Sequence, residues 1–149
     1  MDEILGANTG PVAIVEAVAR ETLYIHVLTD GVREREPVEL GAFFGSGLLE
    51  ILRPESDDEF QALVHYATLL DDGEAMTCAL ATCRGYRIAT DEKKTIRLLG
   101  SQVPILGTLD LVRAWEDAAS IPGSIMREVL AAIEERGYVP GTGNPHYTW

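Results

Sequence analysis

Residues Leu70 to Ala81 read LDDGEAMTCALA, and the fold turns on them. Three carboxylates, Asp71, Asp72 and Glu74, stand directly before a run of small apolar side chains. Ala75, Met76, Cys78, Ala79, Leu80 and Ala81 leave almost no polar face. Their spacing predicts a buried central helix from about Asp72 to Arg84. Gly85 follows in the position favoured for a left-handed C-cap. The acids themselves have two readings. Asp71 with Glu74 resembles a capping box, and acids in a first turn gain about 0.3–1 kcal/mol each from the helix dipole. An acid at the mouth of a buried helix, however, faces other strand ends rather than open water. Carboxylates crowded there repel and lose solvation, which a divalent cation relieves.

On either side of this stretch the chain alternates strand and helix. PVAIV (Pro11–Val15) reads as a strand and EAVARETLYI (Glu16–Ile25) as a helix. TDGVREREPVEL carries charges and turn signals, and an exposed hairpin or loop is expected there. LLEILR (Leu48–Arg53) reads as a buried strand. In PESDDEFQALVHYATLL, Ser56 or Asp57 caps a helix with Phe60, Leu63, Val64 and Ala67 at helical spacing. Downstream, YRIAT (Tyr86–Thr90) and VPIL (Val103–Leu106) are strands, and DEKKTIRLLG is a helix ending in Gly100. Two more helices are expected from about Leu109 to Ala118 and from about Gly123 to Arg136, with Gly137 closing the last. The tail VPGTGNPHYTW reads as a loop. Such alternation predicts a single α/β domain over residues 1–149, with a central, mostly parallel sheet between two layers of helices.

Composition narrows the function classes. The chain has 149 residues, 46% of them hydrophobic and 24% charged, enough to close a core of ordinary size. Its formal net charge of −12 argues against affinity built on a broad basic surface. It does not exclude nucleic acid, because acids around a divalent cation attract phosphate through the metal. It also suits a basic protein partner. No apolar stretch reaches the roughly 18 residues of a membrane span. The acidic start Met1-Asp2-Glu3 is no signal peptide, so a cytoplasmic protein without a membrane partner is expected. Cys78 and Cys83 are expected to be buried free thiols, lacking a CxxC or a nearby His pair.

In open α/β sheets, function gathers where strands run into the following helices. Asp91 follows YRIAT directly, Glu74 opens the preceding helix, and Glu21 sits on the first helix. Here the residues resemble a family. LDDGEAMTCALATCRGYRIATDEKKTIRLL followed by PILGTLDLVRAW resembles the second half of PIN domains, in the bacterial and archaeal branch that includes toxin–antitoxin ribonucleases. VAIVEAVARE looks like the second strand and helix of that family, and the likeness runs from about Val12 to Tyr138.

The resemblance implies Mg²⁺- or Mn²⁺-dependent hydrolysis of RNA phosphodiester bonds, with Glu21, Glu74 and Asp91 as catalytic metal ligands. Glu92 would be a further acid beside them, while Thr90 and Asp72 would orient and tune the ligands. Phosphodiester hydrolysis needs an activated water and neutralised phosphate charge. Carboxylates holding hard cations supply both. Lys93, Lys94 and Arg97 fall within about one helical turn and are candidates for RNA phosphate, although a solvated helix face also explains them, as it does Arg84 and Arg87. An antitoxin protein is an implied partner, and a homodimer is left open.

PIN domains begin with an apolar strand ending in an Asp ligand, and nothing before Val12 reads as that strand. MDEILGANTG looks like the end of the helix that follows it. Either the start of the chain is placed too late, or the first strand and one ligand are missing. A second functional class is a catalytically impaired PIN-like domain that binds a partner. A third is an unrelated α/β domain whose acids are all caps. His26, His65 and His146 are expected in surface or core positions, GSG (Gly45–Gly47) and GTG (Gly141–Gly143) in turns, and Trp115 and Trp149 in packing.

Overall fold

The computed structural model describes residues 2–7, 10–21, 23–29, 32–135, 138–140 and 144–146. The expectations for Arg136, Gly137, Gly141–Gly143 and Trp149 lie outside the described residues. The elements run α1 (Asp2–Gly6), β1 (Ala13–Val15), α2 (Glu16–Ala19), β2 (Tyr24–Thr29), β3 (Val32–Pro37), α3 (Gly41–Gly45) and β4 (Glu50–Leu52). They continue through α4 (Asp57–Ala67), α5 (Asp72–Arg84), β5 (Ile88–Ala89), α6 (Lys93–Leu99), β6 (Ile105–Leu106), α7 (Thr108–Ala119) and α8 (Gly123–Glu135). The class is mixed α/β.

The sheet departs from one continuous layer. β1 pairs in parallel with β4, and β5 pairs in parallel with β6. β2 and β3 form an antiparallel hairpin. Each sheet among the described residues has two strands. Helix α5 packs against both β1 and β5, so it bridges the two parallel pairs.

Helix α5 matches its expected bounds and is buried as its composition requires. Ala75, Cys78 and Ala79 have no exposed surface, and they join Tyr66, Leu70, Ile88, Leu99 and Val103 in the main core. Asp71 stands at the N-cap with extended backbone but makes no side-chain cap bond, so the capping box expected here is absent. Box chemistry appears instead on α4. The Ser56 hydroxyl accepts from the Glu59 amide, and Glu59 accepts back from the Ser56 amide. Gly85 takes φ 68° and ψ 32°, a left-handed cap whose chain continues through Tyr86 N–H to Ala81 C=O. Gly85→Ala is expected to cost about 1 kcal/mol or more through strain at positive φ, read as a lower denaturant midpoint. An unchanged midpoint would mean the cap tolerates a Cβ.

Some expectations give way. The helix expected over Glu16–Ile25 stops at Ala19, and Tyr24 and Ile25 begin β2, whose pairing with Glu36 and Pro37 overrides the helical spacing. The LLEILR strand is short and lies open, with Ile51 44% exposed; only Leu49 before it is buried. Phe60 and Val64 of α4 are 51% and 69% exposed, while Tyr66 and Glu59 on its other side are buried. Cys78 is buried and Cys83 exposed, both as free thiols. A second cluster of Val112, Trp115 and Met126 joins α7 and α8. Short strands leave apolar side chains such as Ile25, Val32 and Ile51 uncovered.

Glu59 is buried because it is fully partnered. Arg84 Nε donates to its Oε1 at 2.6 Å, and the Glu55 amide donates to Oε2 at 2.6 Å. Arg84 also donates to Arg53 C=O at 2.8 Å, fastening the end of α5 to the link between β4 and α4. The Arg84 hydrogen bond, then the Glu55 amide, holds the Glu59 carboxyl at about 2 against an ordinary 4.5. A lowered carboxyl contributes stability that is complete above the unfolded value and lost as pH falls through the folded one. Stability is therefore expected to decline from about pH 4.5 towards pH 2, and Glu59→Gln to flatten that decline while lowering stability at neutral pH. Denaturant melts across this range check it. Equal acid sensitivity in both proteins would assign the effect to other carboxylates.

Candidate functional site

The acids singled out in the sequence fall into two groups at neighbouring helix mouths. Glu74 lies in the first turn of α5, where its Oε1 faces the Thr95 hydroxyl of α6 at 3.5 Å. Glu21 is not within a helix; it sits in the turn just past α2, its amide bonded to Val18 C=O. Its Oε1 nonetheless reaches Gly73. A Cβ built on Gly73 would lie 3.0 Å from that oxygen and 2.9 Å from Val18 Cγ2. A side chain at position 73 would push against Val18 and the Glu21 carboxylate, which glycine lets approach the start of α5. The Glu21 carboxylate thus lies against Gly73, the residue before Glu74 at the mouth of the central helix, while the Glu74 carboxylate faces Thr95.

A pocket of about 170 Å³ opens there, lined by Val18, Gly73, Glu74 and Thr77 with Ile88, Ala89, Thr90 and Thr95. It has one carboxylate, three hydroxyls and an apolar wall. The Cys78 thiol nearby is a packing group: burial, then the Glu74 charge, pushes it up to about 11, so it stays protonated.

Asp91 belongs to the second group. It lies past β5, and its carboxylate meets α7: the Thr108 amide donates to Oδ1 at 3.3 Å and Oδ2 at 3.2 Å, and the Thr108 hydroxyl donates to Oδ2. The Tyr138 hydroxyl donates to Oδ1 at 3.1 Å. Asp110, three residues into the same helix mouth, accepts from the Gly107 amide at 2.7 Å and meets His146 Nε2 at 2.9 Å. Thr108, Asp110, Tyr138 and His146 were not singled out as site residues. The signal for the first two was in GTLD, an acid opening a helix after a strand; the last two lie far beyond it, His146 36 residues past Asp110, with no local cue.

The remaining candidates are placed as follows. Thr90 Oγ1 accepts from the Glu92 amide at 3.1 Å, which shapes the turn carrying Asp91. Glu92 is the exposed N-cap residue of α6, and Asp72 is exposed in the first turn of α5. Lys93, Lys94 and Arg97 are exposed on α6, whereas Arg84 is engaged by Glu59. His26 lies on β2 and His65 on α4.

Glu21, Glu74 and Asp91 are hard oxygen donors of the type Mg²⁺ or Mn²⁺ takes. Their placement falls short of a three-carboxylate centre. Among the described residues, no three His, Cys, Asp or Glu side chains gather closely enough to hold an ion, and Asp91 is held by α7. Among the described residues no helix is long and apolar enough to cross a membrane. No family model, curated protein or solved structure matches the chain.

Proposed function

We propose that the chain is a PIN-like α/β/α domain of the divalent-metal-dependent ribonuclease type, as in toxins of toxin–antitoxin pairs, with Glu21, Glu74 and Asp91 as its acids. One observation carries the reading: Glu21 Oε1 and the first turn of α5 come together at Gly73, although 52 residues separate Glu21 from Gly73. Caps satisfy their own helices and give no reason for such a meeting. RNA is the substrate on this reading, Lys93, Lys94 and Arg97 of the adjoining α6 face its phosphates, and Mg²⁺ or Mn²⁺ is the cofactor. The donor set is short of a full site, so this chain by itself binds Mn²⁺ weakly and cleaves RNA slowly or not at all. Ribonuclease assays with and without Mn²⁺, on this chain and on a form carrying an added N-terminal apolar strand ending in Asp, test the proposal.

A second reading is a catalytically impaired PIN-like domain that binds a partner, such as a basic antitoxin or a second copy. Exposed apolar side chains favour it: Ile51, Phe60 and Val64 are 44%, 51% and 69% exposed. It gains if the form with the added strand also fails to cleave.

A further inference from the structure

We infer that the β2–β3 hairpin is a contact for single-stranded RNA, made by Tyr24, His26 and Arg35 on one of its faces. RNA as the substrate is taken from the proposed function; the hairpin contact stands on separate observations. Side chains alternate along a strand, and residues directly opposite in an antiparallel pair share a face. The register sets Tyr24 against Pro37, Ile25 against Glu36, His26 against Arg35 and Val27 against Glu34. One face therefore carries Tyr24, His26 and Arg35, and the other Ile25, Val27, Glu34 and Glu36. Rings and guanidinium are thus set apart from the acids of the same ribbon, on a chain whose net charge is −12.

The three side chains form one assembly. The Arg35 guanidinium carbon lies 4.4 Å from the centroid of the Tyr24 ring, and the His26 ring meets Tyr24 edge-on at 5.5 Å. Packing against the core does not account for them. The hairpin's contacts are chiefly within itself, Tyr24 is 44% exposed and Arg35 is exposed. A lone two-stranded ribbon gains little stability from such contacts. Among the described residues no carboxylate pairs with Arg35, which leaves its N–H donors for a ligand. His26 Nδ1 is buried without a hydrogen-bond partner among the described residues, an unpaired group that a base or ribose hydroxyl beside it would satisfy. An unpaired RNA strand offers what this face can use: flat bases that stack on rings and guanidinium planes, and phosphates for the charge. Duplex RNA keeps its bases stacked inside, and an acidic protein would engage the charge but not the rings.

The test measures binding of a fluorescein-labelled oligouridine of about 12 nucleotides by anisotropy, in EDTA so that metal-dependent cleavage is silent. The proteins are the full chain, Tyr24→Leu, Tyr24→Phe, Arg35→Gln and a triple variant of α6, Lys93→Gln with Lys94→Gln and Arg97→Gln. Denaturant midpoints confirm their folds. Tyr24→Leu is expected to weaken binding roughly 5- to 150-fold, the worth of one stacked base, and Tyr24→Phe to stay within about 2-fold. Arg35→Gln should lower the slope of log affinity against log salt by about 0.7, one phosphate contact on a single strand, a change that Tyr24→Leu should not make. If the triple variant loses binding while Tyr24→Leu and Arg35→Gln keep it, RNA is held by α6 alone; the proposed substrate stands and the hairpin contact is overturned. If Tyr24→Leu and Arg35→Gln split a dimer in sedimentation without changing RNA affinity, the face contacts protein and the inference is likewise overturned. If the unsubstituted chain does not bind the oligonucleotide at all, RNA as the substrate falls with it.

Discussion

Glu74→Gln, or Asp91→Asn, is expected to lower Mn²⁺-dependent RNA cleavage at least about 100-fold in a form of the chain that carries an added N-terminal apolar strand ending in Asp. Each substitution keeps side-chain volume and removes one negative charge, so packing is spared while the hold on a hard cation is lost. Glu74 is half-buried and Asp91 exposed, and neither is part of a core cluster, which leaves the fold intact. The unextended chain should show little cleavage to lose. Strong Mn²⁺-dependent cleavage by that chain would mean that three acids suffice. Cleavage that survives both substitutions in the extended form would return the acids to the role of caps.

What could be read from the sequence was what neighbours in the chain decide. Helix α5 was legible because its small apolar residues, its N-terminal acids and Gly85 all act within a few positions of one another. The α4 cap was legible only in part: Ser56 or Asp57 is the expected N-cap, but the box between Ser56 and Glu59 was not read from the sequence. Pairings across the chain were not. Tyr24 and Ile25 have helical spacing behind Glu16, and only the partner strand Val32–Pro37 makes them extended. The parallel strands were found but not their grouping, since whether β1 and β5 share one sheet depends on contacts between residues more than 70 apart. Glu74 and Asp91 were marked by position at strand ends. Tyr138 and His146 meet Asp91 and Asp110 from a C-terminal stretch of sequence whose spacing carries no period.

Leu99→Ala is expected to destabilise the chain by about 2–5 kcal/mol, the largest stability effect proposed. Leu99 has no exposed surface and closes α6 against Cys78, Ala79, Ile88 and Val103 in the main core. Truncating it removes transfer energy and leaves a cavity that small neighbours such as Ala75 and Ala79 cannot fill by rotating. Against a total stability of roughly 5–15 kcal/mol, that loss weakens α6 before the rest. Helix α6 also carries Thr95, which faces Glu74, and starts two residues after Asp91, so loosening it disturbs both acid groups together. Leu99→Met, which conserves volume, should cost less than about 1.5 kcal/mol and keep both contacts. Denaturant unfolding separates the two variants. Equal, small losses for Ala and Met would show that α6 is held by its polar contacts, and the acids would then be anchored to each other rather than to the core.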